Sequence, residues 1–308
     1  MNKFILRQSL ILFLTASIWG LGFIAQSVGM DYVEPFTFTA ARNILAVFTL
    51  IPYIIITDKM KQKNDTSVIK QNKNSLLIGG ICCGICLFAA STLQQFGIKY
   101  TTVGKAGFIT AMYMVLVPIF GIFLHKKAGT KIWIAVALAA LGMYFLCITK
   151  GELRLQPGDS FVFACAVGFT FHILVIDSFS PKTDGVKLSC IQFFVCAVLS
   201  LICTFIFERP NMDNILAAGT PILYAGVLSS GVAYTLQIVG QKGMNPTVAS
   251  LILSLESVVS VIAGWLILGQ KLSAREICGC MLAFAAIILV QLPDKPLSDK
   301  PVIPQDKD

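Results

Sequence analysis

The sequence predicts an all-α integral membrane protein in which ten transmembrane helices form two inverted five-helix repeats. Three observations lead to this prediction. The chain of 308 residues is 56% hydrophobic and only 13% charged, with a mean hydropathy of +0.79. Apolar windows of about 20 residues, enough to cross roughly 30 Å of hydrocarbon, recur along its whole length. A segment of the first half also matches a segment of the second half without a gap.

The apolar windows are predicted to be helices. In lipid every backbone N–H and C=O group needs a partner within the protein, and a helix satisfies its own groups. The strands of a membrane barrel would instead show weaker, alternating segments of about ten residues. The ten spans run approximately from Ser9 to Ala25, Phe36 to Ile56, Leu76 to Gln95, Gly104 to Leu124, Ile132 to Ile148, Ser160 to Ile176, Leu188 to Phe207, Ile215 to Val239, Thr247 to Leu268 and Ile277 to Gln291.

An internal repeat relates the two halves of the chain. Residues 90–121 align with residues 233–264 at an offset of 143, with eleven identities. A shared Thr-Leu-Gln, followed by Gly and Lys at the same spacing, is hard to obtain from composition alone. An earlier stretch pairs less securely at an offset of 150, which places Trp19 opposite Phe169 and Arg42 opposite Gln192. The identical pairs are Ala90/Ala233, Thr92/Thr235, Leu93/Leu236, Gln94/Gln237, Gly97/Gly240, Lys99/Lys242, Ala106/Ala249, Ile109/Ile252, Val115/Val258, Ile119/Ile262 and Gly121/Gly264.

The repeat also predicts the topology. Each half holds five spans, an odd number, so the second half enters the membrane from the opposite side and the repeats are inverted. The predicted halves are residues 8–148 and 158–291, joined by a polar turn with a Pro-Gly pair. Residues 292–308 are polar and Pro-rich, which predicts a disordered cytoplasmic tail. Internal duplication of this kind is typical of secondary transporters.

The distribution of basic residues gives the orientation. With the N-terminus inside, sixteen Lys and Arg residues fall in cytoplasmic segments and seven in outer loops. This excess predicts that both termini are cytoplasmic, in a multi-pass protein of a bacterial-type plasma (inner) membrane. Lys99 then lies outside and its repeat mate Lys242 inside, as inversion requires. Arg42 is the remaining basic residue, and it lies within a span.

Several classes of function are disfavoured. The net charge of +8 arises from loop residues rather than from one basic face, so a nucleic-acid partner is not expected. No G-x-x-x-x-G-K-[ST] loop is present to hold ATP. The Cys82-Cys83-x-x-Cys86 motif lacks further ligands at metal spacing, so we expect packing there, with no metal and no cofactor. One intramembrane Glu and one His do not supply an enzyme's catalytic cluster. Transport driven by an existing gradient remains.

Several motifs, in order and at suitable spacing, carry a resemblance over nearly the whole chain. They are Trp19-Gly-Leu-Gly-Phe23, Ala41-Arg42-Asn43, Ser229-Ser-Gly-Val-Ala-Tyr234, and Leu253-Ser-Leu-Glu-Ser257 leading to Gly264-Trp265 and Gly269. The chain resembles the EamA-type ten-helix carriers of the drug/metabolite transporter superfamily. The sequence departs from that pattern at Gln270, where members often carry Glu, and at Ser257, where they often carry Pro.

The resemblance implies a small metabolite or amino-acid-like substrate, usually exported. It also implies a cavity between the halves, lined by the first, third, fourth, sixth, eighth and ninth spans. Members differ too much in substrate for a specific compound to be transferred.

Two charged residues head the candidate substrate-binding set. Glu256 is the one carboxylate near the centre of a span, where a charge costs about 2.5 to 3.5 kcal/mol on insertion scales. It could bind a substrate amine or exchange a proton, or it could be a neutral or paired Glu that bridges helices. Arg42 lies about 10 Å into its span, so a salt bridge to Glu256 is open. Its repeat mate is Gln192, so the shared architecture does not require the charge, which favours anion recognition or a conformational lock. A structural ion pair or snorkelling of the side chain is the equally supported alternative.

Polar and aromatic side chains complete that set. His172 could relay a proton, but a hydrogen-bonded packing role is the better-supported alternative. Gln94 and Gln237 are repeat mates, and such amides suit a cavity wall or fasten helices together. Tyr234 lies one turn before Gln237, on the same helix face.

Two further aromatic residues offer surfaces for an apolar or cationic ligand. They are Trp19 in the first span and Tyr113 in the fourth, and Tyr113 is the repeat mate of Glu256. Pro118, later in the fourth span, is predicted to kink that helix.

The leading hypothesis from sequence is a secondary active carrier that exports a small metabolite by alternating access. Its expected partners are a small-molecule substrate and the lipid bilayer, and a homodimer remains open. The alternatives are an uptake carrier and a nontransporting assembly or sensor subunit.

Overall fold

The computed structural model describes residues 3–63, 73–101, 103–124, 129–147, 156–268 and 273–292. These ranges are helical and contain no strand. The predicted tail beyond Leu292 and most of the predicted turn between the halves lie outside them. The α-helices are α1 (Lys3–Gly29), α2 (Pro35–Lys63), α3 (Lys73–Tyr100), α4 (Val103–Ala111), α5 (Tyr113–Phe123), α6 (Thr130–Cys147), α7 (Pro157–Phe179), α8 (Gly185–Phe207), α9 (Met212–Ala217), α10 (Gly219–Leu223), α11 (Thr235–Gln241), α12 (Pro246–Leu253), α13 (Leu255–Leu268) and α14 (Ala274–Gln291).

A π-helical stretch joins α10 to α11, and we call it the π segment (Tyr224–Tyr234). π-Helical turns are rare and occur often at functional sites. A short 3₁₀ turn, Ser180–Lys182, follows α7.

The chain is an all-α multi-pass membrane protein. In the described ranges, seven helical stretches are long and apolar enough to cross a membrane, and three shorter helices are also apolar. Within the described residues, each of the ten predicted spans falls on helical structure, and Ile148 at the end of the fifth lies outside them. The number of crossings and the inversion of the repeat remain predictions.

Two spans are interrupted near their middle. Met112 separates α4 from α5, and Ser254 separates α12 from α13. The hydroxyl of Ser254 donates to the carbonyl of Leu251 at 2.7 Å, a local bond that tends to bend helices. The sequence placed the expected kink of the fourth span at Pro118, but the interruption lies six residues earlier and Pro118 sits inside α5.

The two interruptions fall at nearly equivalent positions of the repeat. Each lies within two residues of one member of the mate pair formed by Tyr113 and Glu256. Discontinuous helices of this kind often form the binding sites of transporters.

Helix packing is reciprocal between the halves. α3 packs against α7, while α1 packs against the π segment and α11. A Cβ on Gly97 would clash with Cγ2 of Val162, and a Cβ on Gly240 would stand 3.0 Å from the Leu12 side chain. Gly97 and Gly240 are repeat mates, and at the offset of 150 so are Val162 and Leu12. The repeated glycines therefore allow the same close helix approach twice.

The α2–α8 pair is tied at both ends by a carboxylate. At one end Glu208 accepts hydrogen bonds from the backbone N–H groups of Phe36 and Thr37 at 2.8 and 2.7 Å, and from the Thr37 hydroxyl at 2.7 Å. At the other end Asp58 pairs with Lys187 at 2.8 Å. At the offset of 150, Glu208 is the mate of Asp58 and Thr37 is the mate of Lys187. The two ties are therefore equivalent contacts of the repeat.

We expect Glu208→Ala to lower the free energy of unfolding by about 1–2 kcal/mol, because two N–H groups in the first turn of α2 lose their acceptor. The matched variant Asp58→Ala should cost at most about 1 kcal/mol, because its ion pair is solvent-exposed. Thermal unfolding of both purified variants in one detergent measures the difference. An equal or larger loss for Asp58→Ala would contradict the expectation.

Candidate functional site

A central cavity lies where both halves of the chain meet. It is bounded by α1, α2, α3, α4, α5, α7, the π segment, α11, α12 and α13. Its volume is about 30 Å³, room for roughly two water molecules. Its walls combine apolar, aromatic, amide and charged groups. They are Trp19, Phe23, Gln26, Arg42, Gln94, Thr110, Tyr113, Phe169, Ile173, Ser229, Tyr234, Gln237, Leu253 and Glu256.

Most of the cavity wall consists of repeat mates. Ten of its fourteen residues form five mate pairs, so the cavity lies where the two halves present equivalent positions to each other. The pairs are Trp19/Phe169, Phe23/Ile173, Gln94/Gln237, Thr110/Leu253 and Tyr113/Glu256.

Glu256 lies at the interrupted ninth predicted span and is 4% exposed. The Tyr113 hydroxyl donates to its Oε1 at 3.1 Å, so a hydrogen bond joins two repeat mates across the cavity. α1 crosses directly behind Glu256, because a Cβ on Gly20 would stand 2.6 Å from the Glu256 carbonyl oxygen. Ser257 donates to the Gly107 carbonyl at 3.0 Å, which fixes α13 to α4. Tyr113 therefore bonds the carboxylate itself, while the packing of α1 and α4 fixes the backbone that carries it.

Arg42 is 2% exposed and contributes a positive charge to the same cavity. Its Nη1 donates to Gln26 Oε1 at 3.2 Å, whereas its buried Nε has no hydrogen-bond partner within the described residues. The salt bridge to Glu256 that the sequence left open does not form: within the described ranges no carboxylate lies within 4 Å of the guanidinium. Both groups nevertheless line the same cavity.

Trp19 and Tyr234 form an aromatic wall beside these charges. Their ring centroids are 4.5 Å apart at an interplanar angle of 57°. Trp19 Nε1 donates to the Ser229 carbonyl in the π segment at 3.2 Å, which sets the orientation of the indole. An aromatic surface of this kind suits an apolar or cationic part of a ligand.

The two repeat-mate glutamines lie in the wall in different states. Gln94 Nε2 approaches the Thr110 hydroxyl at 3.4 Å. Gln237 is 2% exposed, and its Oε1 has no hydrogen-bond partner among the described residues. A buried acceptor without a donor carries a desolvation penalty, so Gln237 is available to a donor group of a ligand.

His172 is the one predicted substrate-binding residue outside the cavity wall. It is fully buried, its Nε2 lies 3.0 Å from Gln192 Oε1, and its ring packs edge-on against Tyr234 with centroids 5.9 Å apart. The geometry favours the packing interpretation, in which His172 supports Tyr234 from behind.

The other seven predicted residues line the cavity together. Their role in substrate binding stays a prediction. Sequence reasoning did not select the remaining wall residues: Phe23, Gln26, Thr110, Phe169, Ile173, Ser229 and Leu253. One signal could have found some of them, because Thr110 and Leu253 lie three positions before the mates Tyr113 and Glu256, a spacing that predicts a shared face when the span is taken as one continuous helix.

Comparison with known proteins decides the family. The model of the EamA-like transporter family matches residues 7–148 and again residues 156–292, which together cover most of the chain. The chain belongs to the EamA-like transporter family. The resemblance to the drug/metabolite transporter superfamily is thereby confirmed.

Relatives of this EamA-like protein are themselves named as transporters. An uncharacterized transporter of Archaeoglobus fulgidus is 30% identical over 91% of this chain and 84% of its own length. The uncharacterized transporter YoaV of Bacillus subtilis is 22% identical, covering 88% of this chain and 92% of its own. The uncharacterized inner membrane transporter YedA of Escherichia coli is 22% identical over 95% and 93%. The protein is therefore a membrane transporter for a small molecule.

The fold also recurs among solved structures. One crystal structure superposes with a TM-score of 0.75 at 18% sequence identity, covering 93% of this chain and 98% of the other. At that identity the similarity concerns the fold alone.

Proposed function

We propose that this EamA-like protein is a secondary active carrier that exports a small metabolite or amino-acid-like compound by alternating access through the central cavity. One observation carries the proposal: ten of the fourteen cavity residues are repeat mates. A site built from equivalent positions of two halves can be exposed to either side when one half rocks against the other.

The proposal includes the ten-helix inverted topology. Reciprocal packing of α3 on α7 and of α1 on the π segment and α11 supports it, as do the mated ties of α2 and α8. The excess of basic residues in the predicted cytoplasmic segments supports cytoplasmic termini and a plasma (inner) membrane location. The units would be residues 8–148 and 158–291, the halves given by the repeat.

The volume of the cavity bears on the transport cycle. About 30 Å³ is enough for water but not for a metabolite. The described conformation is therefore compact at the site, and substrate entry requires the halves to move apart on one side. The interruptions at Met112 and Ser254 lie beside the cavity, where a change of helix direction would widen it.

Export is the direction that the family resemblance implies, and uptake is its alternative. Purified protein in liposomes, loaded in turn with groups of small metabolites, tests both through efflux and through counterflow. We expect protein-dependent, saturable flux of at least one group. No flux of any group in either direction would refute the transport proposal.

A cavity-filling variant should distinguish transport through this cavity from leakage. Thr110→Phe places an aromatic ring in a space of about 30 Å³ and should reduce flux by roughly tenfold or more. Ile122→Phe introduces the same aromatic ring at a side chain that is 55% exposed, in the same predicted span, and should leave flux unchanged. Equal flux in the two variants would place the pathway elsewhere.

A further inference from the structure

We propose that Arg42 binds an anionic group of the substrate, so that the transported compounds are small organic carboxylates. The inference deepens the proposed function and rests on it, because the substrate is assumed to occupy the central cavity. Arg42 lines that cavity and is almost completely buried.

The hydrogen bonding of Arg42 is incomplete. Its Nη1 donates to the neutral Gln26 amide oxygen at 3.2 Å, and its buried Nε has no acceptor within the described residues. A guanidinium has five N–H donors in a planar fork that matches a carboxylate in bidentate geometry. The cavity therefore contains a positive charge with an unused N–H donor, in a geometry that favours a carboxylate.

The protein supplies no counter-charge to Arg42 at contact distance. In the described part of the chain no carboxylate lies within 4 Å of it. The cavity carboxylate, Glu256, accepts a hydrogen bond from Tyr113 instead. Leaving a buried charge unpaired is strongly unfavourable. An anionic group of the substrate would therefore bind favourably, because it supplies the counter-charge that Arg42 lacks.

The positive charge is not demanded by the shared architecture. The repeat mate of Arg42 is Gln192, whose amide oxygen lies 3.0 Å from His172 Nε2 outside the cavity wall. An uncharged amide therefore serves at the equivalent place in the other half. The arginine is an asymmetric feature of a symmetric site, which favours ligand recognition over helix packing.

The surroundings of Arg42 indicate the rest of the ligand. The Trp19–Tyr234 wall and the apolar side chain of Phe23 line the same cavity. These neighbours favour a carboxylate attached to an apolar or aromatic group. The carboxylate would then contact the Arg42 guanidinium, and the apolar group would contact the aromatic wall. The unpartnered oxygen of Gln237 can accept from a donor on such a compound.

The test uses three probes that share one skeleton: 3-phenylpropionate, 3-phenylpropionamide and 3-phenylpropylamine. Thermal unfolding of the full-length protein in detergent reports binding, because a ligand that binds the native state raises the melting temperature. We expect the carboxylate to raise it and the amide and amine to raise it less. Equal shifts for the carboxylate and the amide would overturn the proposal.

Arg42→Gln, which installs the residue of the repeat mate, should weaken the apparent affinity for the carboxylate at least tenfold. Arg42→Lys keeps the charge and should retain more of the affinity than Gln does. If the glutamine variant does not fold, the comparison of carboxylate with amide on the native chain and on Arg42→Lys still decides. Unchanged carboxylate binding in Arg42→Gln would also overturn the proposal.

Flux in liposomes separates this proposal from the transport proposal. Saturable flux of other compounds, with no preference for carboxylates, would leave transport standing and refute the anion site. Carboxylate binding that depends on Arg42, with no flux of any compound, would leave the anion site standing and refute transport.

Discussion

Replacing Gly20 by alanine is expected to destabilise the protein and to abolish its transport. The added Cβ would stand 2.6 Å from the Glu256 carbonyl oxygen and 2.8 Å from Val259 Cβ. A backbone oxygen cannot rotate away as a side chain can, so α1 and α13 must separate. Overpacking of this kind costs about 1–3 kcal/mol, and here it also displaces the helix that carries Glu256.

Gly22→Ala provides the matched control two residues along the same helix. Its Cβ would meet the Ser229 hydroxyl oxygen at 3.5 Å, an ordinary contact. We expect a melting temperature and flux close to those of the unmodified protein. Equal behaviour of the two alanine variants, measured by thermal unfolding and liposome flux, would disprove the close approach of α1 to α13.

The second large effect is expected at Glu256. We propose that this carboxylate exchanges the proton that couples transport to a pH gradient, and Glu256→Gln removes the exchangeable charge while keeping the shape. Uphill flux driven by a pH gradient should fall by roughly tenfold or more, because an amide cannot take up and release the coupled proton. Tyr113 from α5 donates to Glu256, while Tyr234 from the π segment and Arg42 from α2 line the same cavity.

Glu34→Gln is the control for loss of a carboxylate outside the cavity. Glu34 pairs with Lys99, its side chain is 56% exposed, and an exposed pair contributes about 0–1 kcal/mol. Its gradient-driven flux should remain unchanged. If Glu256→Gln retains pH-driven flux in liposomes, the coupling role of Glu256 is wrong, and binding measurements with the same variant then show whether it contacts substrate.

The sequence predicted the membrane class correctly because the requirement is local. A span must be apolar over about 20 residues and must satisfy its own backbone, and both conditions can be read along the chain. Gly97 and Gly240 could also be recognised from the sequence as an identical pair in the internal repeat. Their physical reason, a Cβ that would meet Val162 or Leu12, became clear only from the packed helices.

The sequence was less informative about individual polar contacts. The sequence predicted that Arg42 and Glu256 lie at similar depths in the membrane, but depth does not determine the direction in which a side chain points. In the fold Arg42 bonds to Gln26, and Glu256 bonds to Tyr113. His172 had the chemistry of a cavity residue, yet α7 directs it towards Gln192 behind the wall.

The sequence by itself determined that this chain is a helical membrane protein with a duplicated plan, and it selected seven residues that share one cavity. The lengths of the apolar segments, the distribution of charged residues and the internal repeat can all be recognised from the order of residues along the chain. Only the tertiary structure decided which mates meet, where the two interrupted spans break, and that Arg42 has no carboxylate partner among the described residues. Those facts depend on distances between helices, which packing sets and no single segment encodes.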